Sequence, residues 1–276
     1  MRPADAAARQ QQPAQESIDA SIDESIDQSV AGRMADAYEA SSRGDYAQAL
    51  AIWGPLAHAG VPRAQNNVGA CFSEGLGVER DPALAARWLS LSAAGGDAVG
   101  RRNLAALYFK GEGVEQSYPR ALELYRGAAE QGDGPAQDML SWMLLEGEIA
   151  DADPGEARRW AQAAAAQGVA ASMTRLGMIF HNALGVARDP ATAAMWWRRA
   201  AERGDADGQA MLGAACYLGA GVGHDPVEAL AWLLRARAGG SALSRQFFQA
   251  VRTVLAADEI AEAERRAAVP LPEPVS

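Results

Sequence analysis

The apolar positions of this chain fall on a helical period, and the helices they predict come in pairs. Between Asp189-Pro190 and Gly204, Ala193, Trp196, Ala200 and Ala201 sit at helical spacing, so one face carries a large ring beside small residues. The Asp189 carboxylate can accept from free helix-end N–H groups, and Pro190 supplies a helical φ without needing a donor. That pair reads as a helix start, and Gly204 as the stop. The layout returns every 36 residues, with Gly60, Gly96, Gly132, Gly168, Gly204 and Gly240 each ending a helical pattern. Trp88, Trp160, Trp196 and Trp232 stand on the same grid with Leu124 in the remaining slot. Ala49, Ala85, Ala121, Ala157, Ala193 and Ala229 form a second column, which implies a close helix crossing. The strict period of the tryptophans, beside small residues, assigns them to the core, and Trp196→Ala is expected to open a cavity.

In the first helix of each unit Val68, Leu104, Leu140, Leu176 or Leu212 is followed by Gly69, Ala105, Ser141, Gly177 or Gly213, a small residue that lets the second helix approach. Four positions after the Leu column come Phe72, Tyr108, Leu144, Phe180 and Cys216, which share its face and are expected in the core. Five full units result: 61–96, 97–132, 133–168, 169–204 and 205–240. An atypical pair precedes them, in which Pro55 removes a backbone donor and is expected to kink or divide the second helix. The loop reads Gly-x-Gly-Val at Gly75 to Val78, Gly111 to Val114 and Gly219 to Val222, while Ala183 replaces the first glycine before Gly185-Val186. The unit 133–168 keeps the register but has Gly147-Glu148-Ile149-Ala150, so the pattern does not give its loop conformation. Asp-Pro caps stand at Asp81-Pro82, Asp153-Pro154, Asp189-Pro190 and Asp225-Pro226, with Ser117-Tyr118-Pro119 in the odd place.

LAALYFKGEGVEQSYPRALELYRGAAEQG (Leu104 to Gly132) and LGMIFHNALGVARDPATAAMWWRRAAERG (Leu176 to Gly204) resemble the Sel-one-like repeat family over about residues 30 to 241. That family is an all-α relative of the tetratricopeptide repeats with a longer glycine-bearing loop. Period and resemblance together predict an all-α fold, a right-handed solenoid of helix-loop-helix repeats spanning 30–241. Residues 242–267 read as two capping helices and 268–276 as an extended tail. Residues 1–29 carry SIDA, SIDE and SIDQ in tandem and read as disordered or marginally helical, with a helix induced by a partner as the alternative.

The formal charge of −10 changes this picture little, because the two ends carry −4 (residues 1–30) and −3 (residues 258–276). The middle is nearly balanced, so neither a basic nucleic-acid footprint nor a strongly acidic face is indicated. Cys71 and Cys216 lie four periods apart, beyond disulfide reach in a stacked array, and are expected as free thiols of a reducing compartment. No apolar run approaches the roughly 18 to 20 residues that cross a bilayer. The expected location is cytoplasmic, or periplasmic if an export signal precedes this sequence. Lys110 is the single lysine against 24 arginines, a bias compatible with a GC-rich bacterial source.

Candidate chemistry is sparse. His58, His181 and His224 belong to different columns and make no metal-ligand set, and Gly-x-Gly recurs as punctuation with no Lys-Ser or Lys-Thr phosphate cradle after it. Both cysteines sit among apolar positions, and Glu146 with Asp151 lacks a catalytic partner. No catalytic residue, metal or cofactor is therefore expected. By similarity to tetratricopeptide geometry, the first helices present four columns to an inner surface. On these, Phe109, Trp142, Leu145, Met178, His181 and Tyr217 predict a groove edged by Arg102, Lys110, Asp138 and Glu146, suited to a peptide or partner segment with aromatic anchors. The competing reading is that neighbouring first helices, or the N-terminal segment, bury some of these rings. The resemblance implies a non-catalytic interaction scaffold in bacterial signalling, envelope regulation or complex assembly. The alternative it offers is β-lactam binding or hydrolysis, known from cysteine-rich relatives whose cysteine pair in each repeat this chain lacks. A third reading makes the N-terminal segment a functional tether with the array as its support.

Overall fold

The computed structural model describes residues 29–271 apart from 148 and 150, so the expectations for the N-terminal segment and for the end of the tail fall outside the described residues. All regular structure within the described residues is α-helix. The chain divides into two compact units. The first, ending at Ser117, holds α1 (29–42), α2 (Tyr46–His58), α3 (Pro62–Glu74), α4 (Pro82–Ala94) and α5 (Ala98–Lys110). The second begins at Tyr118 and holds α6 (Tyr118–Glu130), α7 (Gly134–Glu146), α8 (Pro154–Ala166), α9 (Ala170–His181) and α10 (Pro190–Glu202). It continues with α11 (Ala206–Leu218), α12 (Pro226–Ala238), α13 (Ser244–Val254) and α14 (Ala257–Ala268). The division falls at the position where Ser117-Tyr118-Pro119 replaces the Asp-Pro cap.

Within each unit the helices pair as the small-residue columns require. A Cβ at Gly69 would meet Leu89 Cγ at 2.8 Å and the Ala85 carbonyl at 3.3 Å, and one at Gly213 would meet Leu233 Cγ at 2.8 Å and the Ala229 carbonyl at 3.0 Å. The alanine column is fully buried at all six positions, and at Ala85 and Ala229 it is the floor on which the first helix lies. First helices also touch one another, α3 with α5 in the first unit and α7, α9, α11 and α13 in sequence in the second.

The ends of the helices follow from the same register. Asp81, Asp153, Asp189 and Asp225 accept from the backbone N–H three residues on at 2.8–3.0 Å, each followed by the proline. The periodic glycines adopt φ of +82 to +90° with open space where a Cβ would go, so conformation, not crowding, selects glycine there. In each loop the cap residue's N–H returns to a carbonyl nine residues earlier, as in Asp81 to Phe72 at 2.9 Å and Asp225 to Cys216 at 3.0 Å. The divergent loop of 147–152 keeps this closure, Asp153 to Leu144 at 3.0 Å, and Gly147 keeps a φ of +70°.

A feature outside the sequence reading ties each first helix to the helix before it. Gln65, Gln137 and Gln209, all buried, donate through Nε2 to the carbonyls of Ala57, Ala129 and Ala201 at 3.1–3.2 Å. These carbonyls lie in the last turn and also accept from the N–H of the periodic glycine three residues on, at 2.9–3.1 Å, so the buried amide is a second donor that joins consecutive repeats. Arg101 adds such a bond to Ala93 through Nε at 3.3 Å, while Met173 has no side-chain donor to offer and the Ala165 carbonyl keeps the Gly168 N–H at 3.0 Å.

Three expectations are corrected. The core ring of the pair at 196–197 is Trp197, which is buried, contacts the space over Gly177 and donates Nε1 to the Thr174 carbonyl at 3.2 Å. Trp196 is half-buried, with the Arg199 guanidinium 4.9 Å from its ring centre. The fully buried column is thus Trp53, Leu89, Tyr125, Ala161, Trp197 and Leu233, one residue beyond the tryptophan grid. Trp197 lies four residues from both Ala193 and Ala201 and shares their stripe, whereas Trp196 is turned about 100° away. Secondly, of the two effects expected of Pro55, division does not occur, since α2 runs through it as one helix. Thirdly, Phe72, Tyr108 and Phe180 are half-buried; only Leu144 and Cys216 of that column are enclosed.

The C-terminal helices close the last core face. Phe248, Val251 and Ala263 are buried against Leu212, Leu230 and Leu233, and the N-terminus of α14 is capped by Glu259, which accepts from the Ala256 N–H at 2.8 Å. Asp258 is its second residue and places a carboxylate in the first turn.

Two stability measurements check this register. Trp197→Ala is expected to cost about 3–5 kcal/mol and Trp196→Ala only about 1–2 kcal/mol in chemical denaturation, because one ring leaves a cavity and the other mainly exposed area. Equal losses would refute the assignment. Ala183 holds a φ of +57°, where a Cβ is strained, so Ala183→Gly should raise stability by up to about 1 kcal/mol net of chain entropy.

Candidate functional site

The four inner columns of the first helices differ in what they meet. In the first of them Asn66, Asp138 and Thr174 are taken up by joints between repeats and Ala210 is buried. Asn103 donates to Asn66 at 2.8 Å, Thr174 donates to the α11 cap Asp205 at 2.6 Å, and Asp138 accepts from Ser172 and forms an ion pair with Arg175. Asp138 and Arg175 are each only 15% exposed, so Asp138, expected as a rim charge, is neutralised inside the structure. Arg102, in the same column, is half-buried.

The next columns remain at the surface. In the second unit Trp142, Leu145, Glu146 and Met178 come together with Ala171, Thr174, Arg175, Leu184, Asp205, Asp207 and Leu243 around a recess of about 380 Å³. Met178 is 41% exposed, and Trp142 and Leu145 are half-buried. Leu145 and Leu184 also rest on the cluster around Met173, Leu176 and Ile179, which holds the floor in place. The corresponding positions of the first unit line a recess of about 260 Å³ between α3 and α5, formed by Ala70, Ser73, Glu74, Leu89, Asn103, Ala106, Leu107, Lys110 and Glu112. Its apolar lining is two leucines and two alanines, without the indole and the methionine of the second. Phe109, half-buried in α5, does not line it.

Two predicted groove residues are drawn elsewhere. Tyr217 packs on the capping helix, with its ring 6.4 Å from Phe247, and belongs to the margin of the C-terminal core. His181 turns its half-buried ring to Trp197 at 5.3 Å, with Nδ1 enclosed. Neither lines the recess. Of the ten predicted residues, Trp142, Leu145, Glu146 and Met178 form one site; Arg102, Phe109 and Lys110 belong to the first unit.

The recess contains residues that the column reading missed. Arg175 lies three residues before Met178 on one helix face and was open to the same argument. Leu184 stands in the loop slot occupied by Glu112 in the first unit, and Asp205 and Asp207 open α11. Leu243, in the turn after α12, carries no periodic signal.

The site offers carboxylates and apolar surface but no nucleophile. Burial pushes the thiol of Cys71 up to about 11 and that of Cys216 up to about 12, so both are protonated and enclosed at neutral pH. No group of three His, Cys, Asp or Glu among the described residues could hold a metal ion, and no helix among them is long and apolar enough to cross a membrane.

A sequence model of the Sel1 repeat matches residues 62–97, 98–133, 134–169, 170–205 and 206–241, more than half of the chain. Among solved structures, a Sel1 repeat protein from Oxalobacter formigenes is similar with a TM-score of 0.76 at 24% identity, over 88% of this chain and 99% of that one. A protective antigen of uropathogenic Escherichia coli with an SLR fold aligns at 26% identity over 86% of this chain and 68% of that one, with a TM-score of 0.43. A Sel1 repeat protein from Klebsiella pneumoniae aligns at 21% identity over 72% and 97%, with a TM-score of 0.48. No curated protein matches the sequence.

The thiols provide a direct check of the packing around both cysteines. Near pH 8 the native protein should react only slowly with a maleimide or a disulfide reagent, and both thiols should react at once in guanidinium. Rapid labelling of either in the native state would contradict its enclosure.

Proposed function

The chain belongs to the Sel1 repeat family, and from that premise we propose that it is a non-catalytic scaffold holding a peptide or partner segment against the first helices of its second unit. Sel1 repeats mediate protein-protein interaction and are typically non-catalytic. The observation that carries the finer reading is the recess in which Trp142, Leu145, Met178, Leu184 and Leu243 meet. A large apolar side chain entering it removes surface from water on both partners, at about 25 cal/mol per Å². A concave, mostly apolar seat with charged groups at its mouth is where anchor residues concentrate binding energy. The processes in which such a scaffold would serve are bacterial signalling, envelope regulation or complex assembly, and two unpaired thiols suit a reducing compartment such as the cytoplasm. No observation favours the β-lactam alternative.

The test is affinity capture with the full chain, comparing wild type with Met178→Asp and with Trp142→Ala. Met178 is exposed, so aspartate there should leave helical circular dichroism and the denaturation midpoint unchanged while removing the captured partner. Undiminished capture by both folded variants would place binding away from the recess.

A further inference from the structure

We propose that the recess of the second unit selects partner segments in which a large apolar side chain is flanked by lysine or arginine; this rests on the scaffold reading above and adds the chemistry of the occupant. The apolar part follows from Trp142, Leu145, Met178, Leu184 and Leu243. The basic part follows from charge. The charged groups of the lining are Glu146, Asp205, Asp207 and Arg175. Arg175 is bound to Asp138 and its charge is spent there, so three carboxylates remain at an apolar seat with no cation of their own in the lining.

Two of these carboxylates are held in place. Asp205 accepts from the Gly208 N–H at 2.6 Å and from the Thr174 hydroxyl at 2.6 Å, and Asp207 accepts from the Ser241 hydroxyl at 2.6 Å. Hydroxyl and amide donors orient a carboxylate without cancelling its charge. The N-terminus of α11 contributes about half a positive charge, which offsets a minor part of three negative ones. The recess is therefore electronegative and preorganised, and desolvated apolar walls strengthen its attraction for a cation at the mouth. The corresponding recess of the first unit combines Lys110 with Glu74 and Glu112, and Glu112 is paired with Arg80 at 3.2 Å. That mixture carries no such preference. The N-terminal segment of this chain is a poor occupant for the same reason, since residues 1–28 hold six acids against two arginines.

The probe is a phage-displayed library of random dodecapeptides selected on the immobilised full chain, with hits remade as labelled synthetic peptides. Enriched peptides should combine Leu, Met or Phe with neighbouring Lys or Arg and lose binding to Met178→Asp. They should also bind the Glu146→Gln/Asp207→Asn double variant about tenfold more weakly, with affinity falling as salt is raised. Amide replacement keeps the acceptor for Ser241, so the fold is preserved while charge is removed. Peptides that depend on Met178 but are neutral or acidic, and bind the double variant unchanged, would overturn the charge selection and leave the scaffold reading standing. Peptides indifferent to Met178→Asp, or no enrichment over a blank surface, would overturn both. Concentration-dependent self-association abolished by Met178→Asp would assign the recess to a second copy of this chain and overturn the proposal.

Discussion

The structure depends on how closely the two helices of a repeat cross. At Gly69, Gly177 and Gly213 the distance to the facing side chain leaves no room for a methyl group, and the alanines opposite are completely buried. Once the backbones are that near, few choices remain for the residue that fills the space beside the crossing. Leucine fits at Leu89 and Leu233, and a tryptophan fits at Trp197 only because Gly177 has no side chain at all. At Ser141 a hydroxymethyl group occupies the small slot, and Ala161 stands in the column that elsewhere holds Leu or Trp. The larger residue in the small slot is thus met by a smaller one opposite, as close packing demands.

Helices of about a dozen residues are marginal on their own, so their ends must be satisfied locally. Aspartate caps and left-handed glycines do this for the exposed ends. At ends that the next repeat covers, Gln65, Gln137 and Gln209 of the following helix add a side-chain donor to a carbonyl that also accepts from the periodic glycine N–H. Other contacts between first helices absorb Thr174 and Asp138 into joints between repeats. A polar residue on the inner surface of a repeat array therefore has a structural competitor for its function, and burial decides which prevails.

The fold was largely legible because its signals are periodic. Glycine, alanine and Asp-Pro recur every 36 residues, and each has a local physical cause. The tryptophan column misled because Trp196 and Trp197 are adjacent and the commoner column won, although the spacing from Ala193 and Ala201 pointed to Trp197. The glutamine column was hidden by Arg101 and Met173, which break it. At the recess, Trp142, Leu145, Glu146 and Met178 were reached by helical spacing together with the similarity to tetratricopeptide geometry. Asp207 and Leu243 were not, since they reach the recess from the start of α11 and from the turn after α12.

Regularity also explains where individuality can arise. Positions set by the crossing or by a helix end tolerate only residues that serve it, so they repeat and carry no information about a partner. The columns of Trp142 and Glu146 serve neither purpose, and there the chain departs from its own pattern: Ala70 and Ala106 in the first unit against Trp142 and Met178 in the second. An exposed methionine and a half-buried indole stand where the first unit has alanines. Their apolar area facing water is a cost that a binding partner would remove. In this chain the informative residues for function are those at which the repeat fails to repeat while the helix beneath them stays intact.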